Sequence, residues 1–234
     1  MNIRFYNARV LTMVDGQDLF EGEVWVSDNK IAYVGESANA PTALAWDREV
    51  DCRGNVLMPG FKNCHAHGPM TFLRSFADDL PLQEWLNTMI FPAEAKLKPE
   101  DIYVLMQLAI LEYIRGGITT SFEMYFHPEM IAKACIDMKY RVVLSGTVFG
   151  DENHIDSAIE TLEKDYKTFH QCHSLVDYHL GFHSEYSCCR ELLEKIAILG
   201  RELKAPVYMH NSETSREVEE CIARHGMTPI QLMD

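Results

Sequence analysis

The chain has 234 residues, 47% of them apolar, a formal net charge of −14 and no block of consecutive basic residues. This is the composition of a globular protein with a sizeable core, and its acidity argues against a nucleic-acid partner. No apolar run approaches the roughly 20 residues that span a bilayer, no basic-then-apolar leader opens MNIRFYNARV, and seven cysteines lack any C-x-x-C spacing, so reduced thiols in a cytoplasmic protein are expected.

Residues 2–11 (NIRFYNARVL) and 22–34 (GEVWVSDNKIAYV) read as strands, with Ser27-Asp28-Asn29 as turn chemistry that makes the second run a hairpin. A further strand is expected over Glu49–Leu57, kinked at Asp51-Cys52-Arg53-Gly54-Asn55. Residues 1–57 therefore read as part of a small β-domain, too small to bury much by itself.

From Met58 the texture changes to strands alternating with helices. Pro59-Gly60 opens a short apolar strand that ends in His65-Ala66-His67, and Gly68-Pro69 breaks it. Residues two apart on a strand share a face, so the two imidazoles converge, while Cys64 faces the other way and reads as a packed thiol. Pro99 opens a helix with Val104, Leu108, Leu111 and Ile114 at helical spacing, ended by Gly116-Gly117. Strands follow at Ile118–Tyr125, Arg141–Val148, Leu175–His183 and Ala205–His210. Between them lie helices at Pro128–Met138, along the Ile155, Ile159, Leu162, Tyr166, Phe169 stripe, and along Leu192, Leu193, Ile196, Leu199. Thr214-Ser215-Arg216-Glu217 has the form of a capping box for a helix to about His225.

Five strand–helix repeats with short turns imply right-handed parallel crossovers. An open doubly wound sheet would carry a glycine-rich phosphate loop after its first strand. Histidines occupy that place here, which favours an incomplete (β/α)8 barrel over 58–234. Barrel chemistry sits at the C-terminal ends of strands. The residues there are His65 and His67, Glu123, His183 and His210, with Glu213 three residues further on. Three imidazoles around one metal with open coordination are a hydrolytic arrangement, because the metal brings the pKa of its water towards about 7. A carboxylate is then needed to move protons, the role expected of Glu213. His127, His154, His170, His173, His179 and His225 read as surface or packing residues.

The segments GFKNCHAHGPMTFLRS, DDLPLQEWL, GFHSEYSC and VYMHNSET together resemble the amidohydrolase superfamily, in its branch of 5-methylthioadenosine/S-adenosylhomocysteine deaminases. The resemblance implies that residues 1–57 are the N-terminal part of a composite β-sandwich domain, with metal ligation by His65, His67 and His210 and proton transfer by Glu213. It also implies substrate contacts from Glu84 to ribose hydroxyls, from His183 and from Glu213. Zinc is the expected cofactor, and iron, nickel or manganese would also suit the donors. The expected partner is a small-molecule nucleoside, with no nucleic acid and no membrane, and a homo-oligomer is compatible with the sequence. A full barrel of this type needs about 250 residues, so the chain is expected to be an N-terminal fragment. It stops before the strands that would bring a further histidine and a metal-binding aspartate, and is expected to be inactive alone. Gly146 stands where members that grip the homocysteine carboxylate carry arginine, which points to methylthioadenosine or adenosine. Guanine deamination and triazine hydrolysis on the same frame are the alternative activities, and a non-catalytic fragment is the alternative of another class.

Overall fold

Short β-branched and aromatic runs pair into a five-stranded N-terminal sheet in the computed structural model, which describes residues 1–42 and 45–234. Strand β1 (Asn2–Val10) runs antiparallel to β2 (Phe20–Ser27), which forms a hairpin with β3 (Lys30–Gly35) through Asp28-Asn29. On its other side β1 pairs in parallel with β4 (Arg48–Asp51) and then β5 (Val56–Leu57). The kink between those two strands is built by an Asp51 carboxylate that accepts the Arg53 N–H at 2.8 Å, with Arg53 and Gly54 both at positive φ. Trp25 is buried in this unit against Trp46 and Tyr33, at ring separations of 4.8 and 5.1 Å. The unit spans Met1–Gly60, and Phe61–Asp234 forms a second one.

The second unit is a β/α repeat. Strands β6 (Phe61–Ala66), β7 (Ile118–Met124), β8 (Arg141–Ser145), β9 (Val176–Ser184) and β10 (Val207–His210) are all parallel and lie side by side in chain order. This is the arc of a β/α barrel, with β6 and β10 as its edges. A helical stretch not foreseen from the sequence follows β6. It comprises α1 (Leu82–Glu84), a wide π-type segment Trp85–Ile90 and α2 (Phe91–Glu94). Then come α3 (Pro99–Arg115), α4 (Pro128–Asp137), α5 (Ile155–Phe169), α6 (Arg190–Leu203), α7 (Ser215–His225) and α8 (Pro229–Met233). Among the described residues no helix is long and apolar enough to cross a membrane.

The core lies between the sheet's outer face and these helices. Val142, Leu144, Tyr178, Leu180 and Phe182 from the strands are buried in one cluster with Ile131, Leu162, Leu192 and Ile196 from the helices. Each such side chain contributes about 1.5–3 kcal/mol on burial. Alternate strand residues face the other way, where Phe122 meets His179 at 5.2 Å and stacks on Tyr208 at 4.2 Å. Stability thus comes from one face of the sheet, and the other is left to polar and aromatic groups.

One expectation is corrected, and the buried face of α3 is decided by packing. In α3 the stripe Val104, Leu108, Leu111 and Ile114 is exposed, and the buried face is Ile102, Met106, Ala109 and Ile110. Both sets have helical spacing, so periodicity alone cannot choose between them, and tertiary packing does. Cys64 is not a packed thiol but exposed, with its Sγ 3.9 Å from the Lys62 carbonyl. The cause is its place on edge strand β6, whose neighbours Phe61 and Lys62 are exposed too.

Candidate functional site

Strand β6 ends at Ala66, and His67 leaves it with φ −127° and ψ 62° to open a 3-10 turn over Gly68–Leu73, with Pro69 in its first positions. The strand's alternation nevertheless holds long enough to bring His65 and His67 together, ring centroids 4.9 Å apart. His210, the last residue of β10, lies 4.8 Å from His65 and 5.3 Å from His67. One ligand atom from each of the three falls within 4.8 Å of the others. His183, near the end of β9, has its ring 5.0 Å from that of His210. All four predicted histidines therefore meet at the C-terminal rim of the sheet, two from one strand and one each from two others.

Hydrogen bonds fix which nitrogen of each ring carries the proton. His67 Nδ1 is 2.6 Å from the Met124 carbonyl and His210 Nδ1 is 2.8 Å from the His183 carbonyl. A carbonyl only accepts, so both Nδ1 atoms are N–H donors. The Tyr208 hydroxyl donates to the Cys64 carbonyl at 2.6 Å, which leaves its oxygen to accept from His65 Nδ1 at 2.9 Å. In the neutral rings, each Nε2 is then a bare lone pair. His67 Nε2 and His210 Nε2 face each other at 3.3 Å. Two lone pairs at that distance repel, and a cation between them removes the conflict. Nδ1 bonding to carbonyl or hydroxyl partners is also how metal-bound imidazoles are oriented. The donor set fits a divalent metal.

Electrostatics keep the rings neutral. Burial pushes the His67 imidazole down to about 4, with the neighbouring His210 and His65 adding to the effect against the Met124 hydrogen bond. His183 is likewise pushed down to about 4 by burial, then by His210 and His67. His65 is lowered by burial and by His210, while the negative charge of Glu213 pulls it back up.

That last effect places the Glu213 carboxylate within electrostatic reach of the cluster, although the residue is exposed. Glu84, at the end of α1, is exposed and shares no hydrogen bond with the histidines; its carbonyl accepts from the Thr88 hydroxyl at 2.6 Å. Gly146 follows β8. A Cβ built on it would strike the Leu162 side chain and lie 2.7 Å from the Gly181 carbonyl oxygen, so no arginine fits there without a shift of the backbone.

Of the three buried carboxyl groups around the site, Glu185 and Glu217 escaped the sequence reading and Glu123 entered it only as a strand-end acid. Glu123 accepts the Gly68 N–H at 2.7 Å and the Tyr113 hydroxyl at 3.1 Å, bracing the turn just after His67. Glu185 takes Arg224 at 2.6 Å and His225 at 3.0 Å, tying the end of α7 to the residues after His183. Glu217 accepts from the backbone of Ser212 and Glu213. The capping box is half formed: Thr214 takes the Glu217 N–H at 3.1 Å, but the Glu217 carboxylate reaches past the cap. For Glu217 the signal was present as that motif, and for Glu123 as a strand-end acid. Nothing in the sequence marks Tyr208.

The amidohydrolase family model matches residues 56–234. The chain is 37% identical over 235 residues to a 5-methylthioadenosine/S-adenosylhomocysteine deaminase of Pelotomaculum thermopropionicum, covering 100% of this chain and 54% of that protein. A 5'-deoxyadenosine deaminase of Methanothermobacter thermautotrophicus is 35% identical, over 95% of this chain and 52% of its own. Among solved structures, an adenosine deaminase from Xanthomonas campestris with bound zinc superposes with a TM-score of 0.89 at 29% identity, covering 99% of this chain and 54% of that one. The chain thus spans about half the length of the curated relatives it matches. With a parallel β/α arc and a histidine cluster at its C-terminal rim, it belongs to the amidohydrolase family.

Proposed function

We propose that this chain carries the metal-binding half of a hydrolytic deaminase acting on an adenine nucleoside of the methylthioadenosine or adenosine kind. The observation that carries the reading is the convergence of three imidazoles whose Nδ1 atoms are all engaged, with ligand atoms within 4.8 Å of one another and the His67 and His210 Nε2 atoms 3.3 Å apart. Zinc is the metal proposed for His65, His67 and His210, since imidazole donors suit it and the cluster offers no thiolate. A divalent cation there supplies Lewis acidity, which makes water nucleophilic at neutral pH. Of the two protons of the attacking water, Glu213 carries one to ring N1 and one to the departing amine, so that water and the adenine give N1–H, a C6 carbonyl and ammonia. His183, kept neutral by burial, is a hydrogen-bond partner for the base, and Glu84 accepts from ribose hydroxyls. Gly146, with no room for a longer side chain, supports a substrate without a carboxylate tail. Residues 1–57 are read as the N-terminal share of a composite β-domain and 58–234 as the barrel portion.

The test is ammonia release by the zinc-loaded protein from 5-methylthioadenosine, adenosine and guanine, and chloride release from a chlorotriazine. Turnover confined to the adenine nucleosides supports the reading, and turnover of guanine or the triazine alone rejects it. A second reading rests on the open edges of the sheet at β6 and β10. In that reading the 234 residues bind metal without turning substrate over until a further polypeptide segment pairs with those edges.

A further inference from the structure

We propose that Glu217 is a positioning residue for Glu213, holding the loop between His210 and α7 in the one conformation that aims the Glu213 carboxylate at the metal centre. The inference rests on the role given to Glu213 above.

Four residues, Asn211-Ser212-Glu213-Thr214, join the strand end at His210 to the start of α7 at Ser215. Ser212 sits in it at φ +57°, a left-handed conformation that a residue with a Cβ adopts only at a cost. Such a conformation persists where the surroundings over-determine it. Here the surroundings are Glu217, which is 3% exposed. Its Oε1 accepts the Ser212 N–H at 2.9 Å and its Oε2 accepts the Glu213 N–H at 2.7 Å. Two successive backbone amides thus converge on one carboxylate in a charge-assisted pair. The Thr214 hydroxyl caps the Glu217 N–H, so the brace is itself anchored to the first turn of α7. At the other end of α7, Arg224 and His225 bind the buried Glu185. The helix is therefore fixed at both ends, and the loop is suspended from it. His210 does not depend on this brace, because its Nδ1 is held by the His183 carbonyl.

This separation makes the proposal testable. Ligation and fold should survive loss of the brace, while the aim of Glu213 should not. Glu217→Gln keeps the shape but presents an NH2 to one of two N–H groups, and Glu217→Ala removes both acceptors. Amide hydrogen exchange read by NMR should show the Ser212 and Glu213 amides of Glu217→Ala exchanging about tenfold faster or more, the scale of a lost hydrogen bond to a charged group. Glu217→Gln should raise at least one of them, and the Cys221 and Ile222 amides should keep their rates. Zinc stoichiometry should not change in either variant. Where the parent turns over, Glu217→Gln should lower kcat about 10–100-fold with KM unchanged, and the double variant with Glu213→Gln should be no slower than Glu213→Gln alone. Unchanged exchange at both amides in a folded Glu217→Ala protein overturns the proposal, as do losses that multiply in the double variant. A parent protein that binds zinc but releases no ammonia counts against the deaminase reading only, and the exchange result then decides the brace by itself.

Discussion

Of the three proposed ligands, only His65 is oriented by a side chain, and that makes Tyr208→Phe the cleanest probe of the hydrogen bonds behind the metal. The substitution removes one oxygen. The ring's stacking on Phe122 at 4.2 Å is available to phenylalanine as well, so packing is kept. What is lost is the acceptor for His65 Nδ1, 2.9 Å away, and the donor to the Cys64 carbonyl at 2.6 Å. Removing a partner of this kind costs about 10–100-fold in metal affinity. His65 and Cys64 are exposed, so water replaces part of both bonds, which puts the effect at the low end. A loss of about tenfold in zinc affinity is expected, or roughly 1.4 kcal/mol. The assay is zinc competition against a chromophoric chelator at pH 7.5, with thermal unfolding of the metal-free protein as the control. An unchanged affinity would show that the Tyr208 hydroxyl does not orient His65, and the proton assignment on that ring would fall. A drop in the metal-free Tm of many degrees would show instead that the hydroxyl holds the sheet.

Acid should destabilise the metal-free protein earlier than carboxylate titration would. The unfolded chain takes up a proton at the ordinary histidine value, near 6.5, and folded His67 only at about 4, so stability is whole above that upper value and falls as pH drops between the two. The loss from His67 is at most about 3 kcal/mol, and urea midpoints that match at pH 7.5 and 4.5 would contradict it. In an enzyme with its barrel complete, Glu213→Gln should keep zinc at parental stoichiometry and lose nearly all turnover, and a metal-loaded variant with normal kcat would remove Glu213 from the mechanism. In that enzyme Glu84→Ala should raise KM for ribose-bearing substrates with little change in kcat, and an unchanged KM would rule out that contact. Residues 1–234 purified alone should self-associate through the open edges of β6 and β10, and a monodisperse monomer by light scattering would show that those edges are not sticky.

Much of this was legible in the sequence because the signals are local. The β/α alternation follows from periodicity and from Gly and Pro breaks. The pairing of His65 with His67 needs only the two-residue repeat of a strand. His210 and His183 were found because both close apolar runs, and a parallel barrel sends such ends to one rim. The groups that orient the site were hidden for the opposite reason. Met124 and His183 act through backbone carbonyls, which no residue type announces, and Tyr208 reaches His65 across 143 positions of sequence. Glu217 looked like an ordinary helix-capping acid, since the same residue at the same position serves either the cap or the loop beyond it. The helix α3 was legible from one apolar stripe, but it carries two, and only packing decides which is covered.

Metal stoichiometry tests the central claim most directly. Residues 1–234 equilibrated against excess zinc should take up one zinc per chain by equilibrium dialysis and elemental analysis. His67→Ala and His210→Ala should each hold almost none, while His183→Ala stays at one. Parental zinc content in a folded His67→Ala or His210→Ala protein would contradict the account, because the three converging lone pairs would then not be what binds the metal.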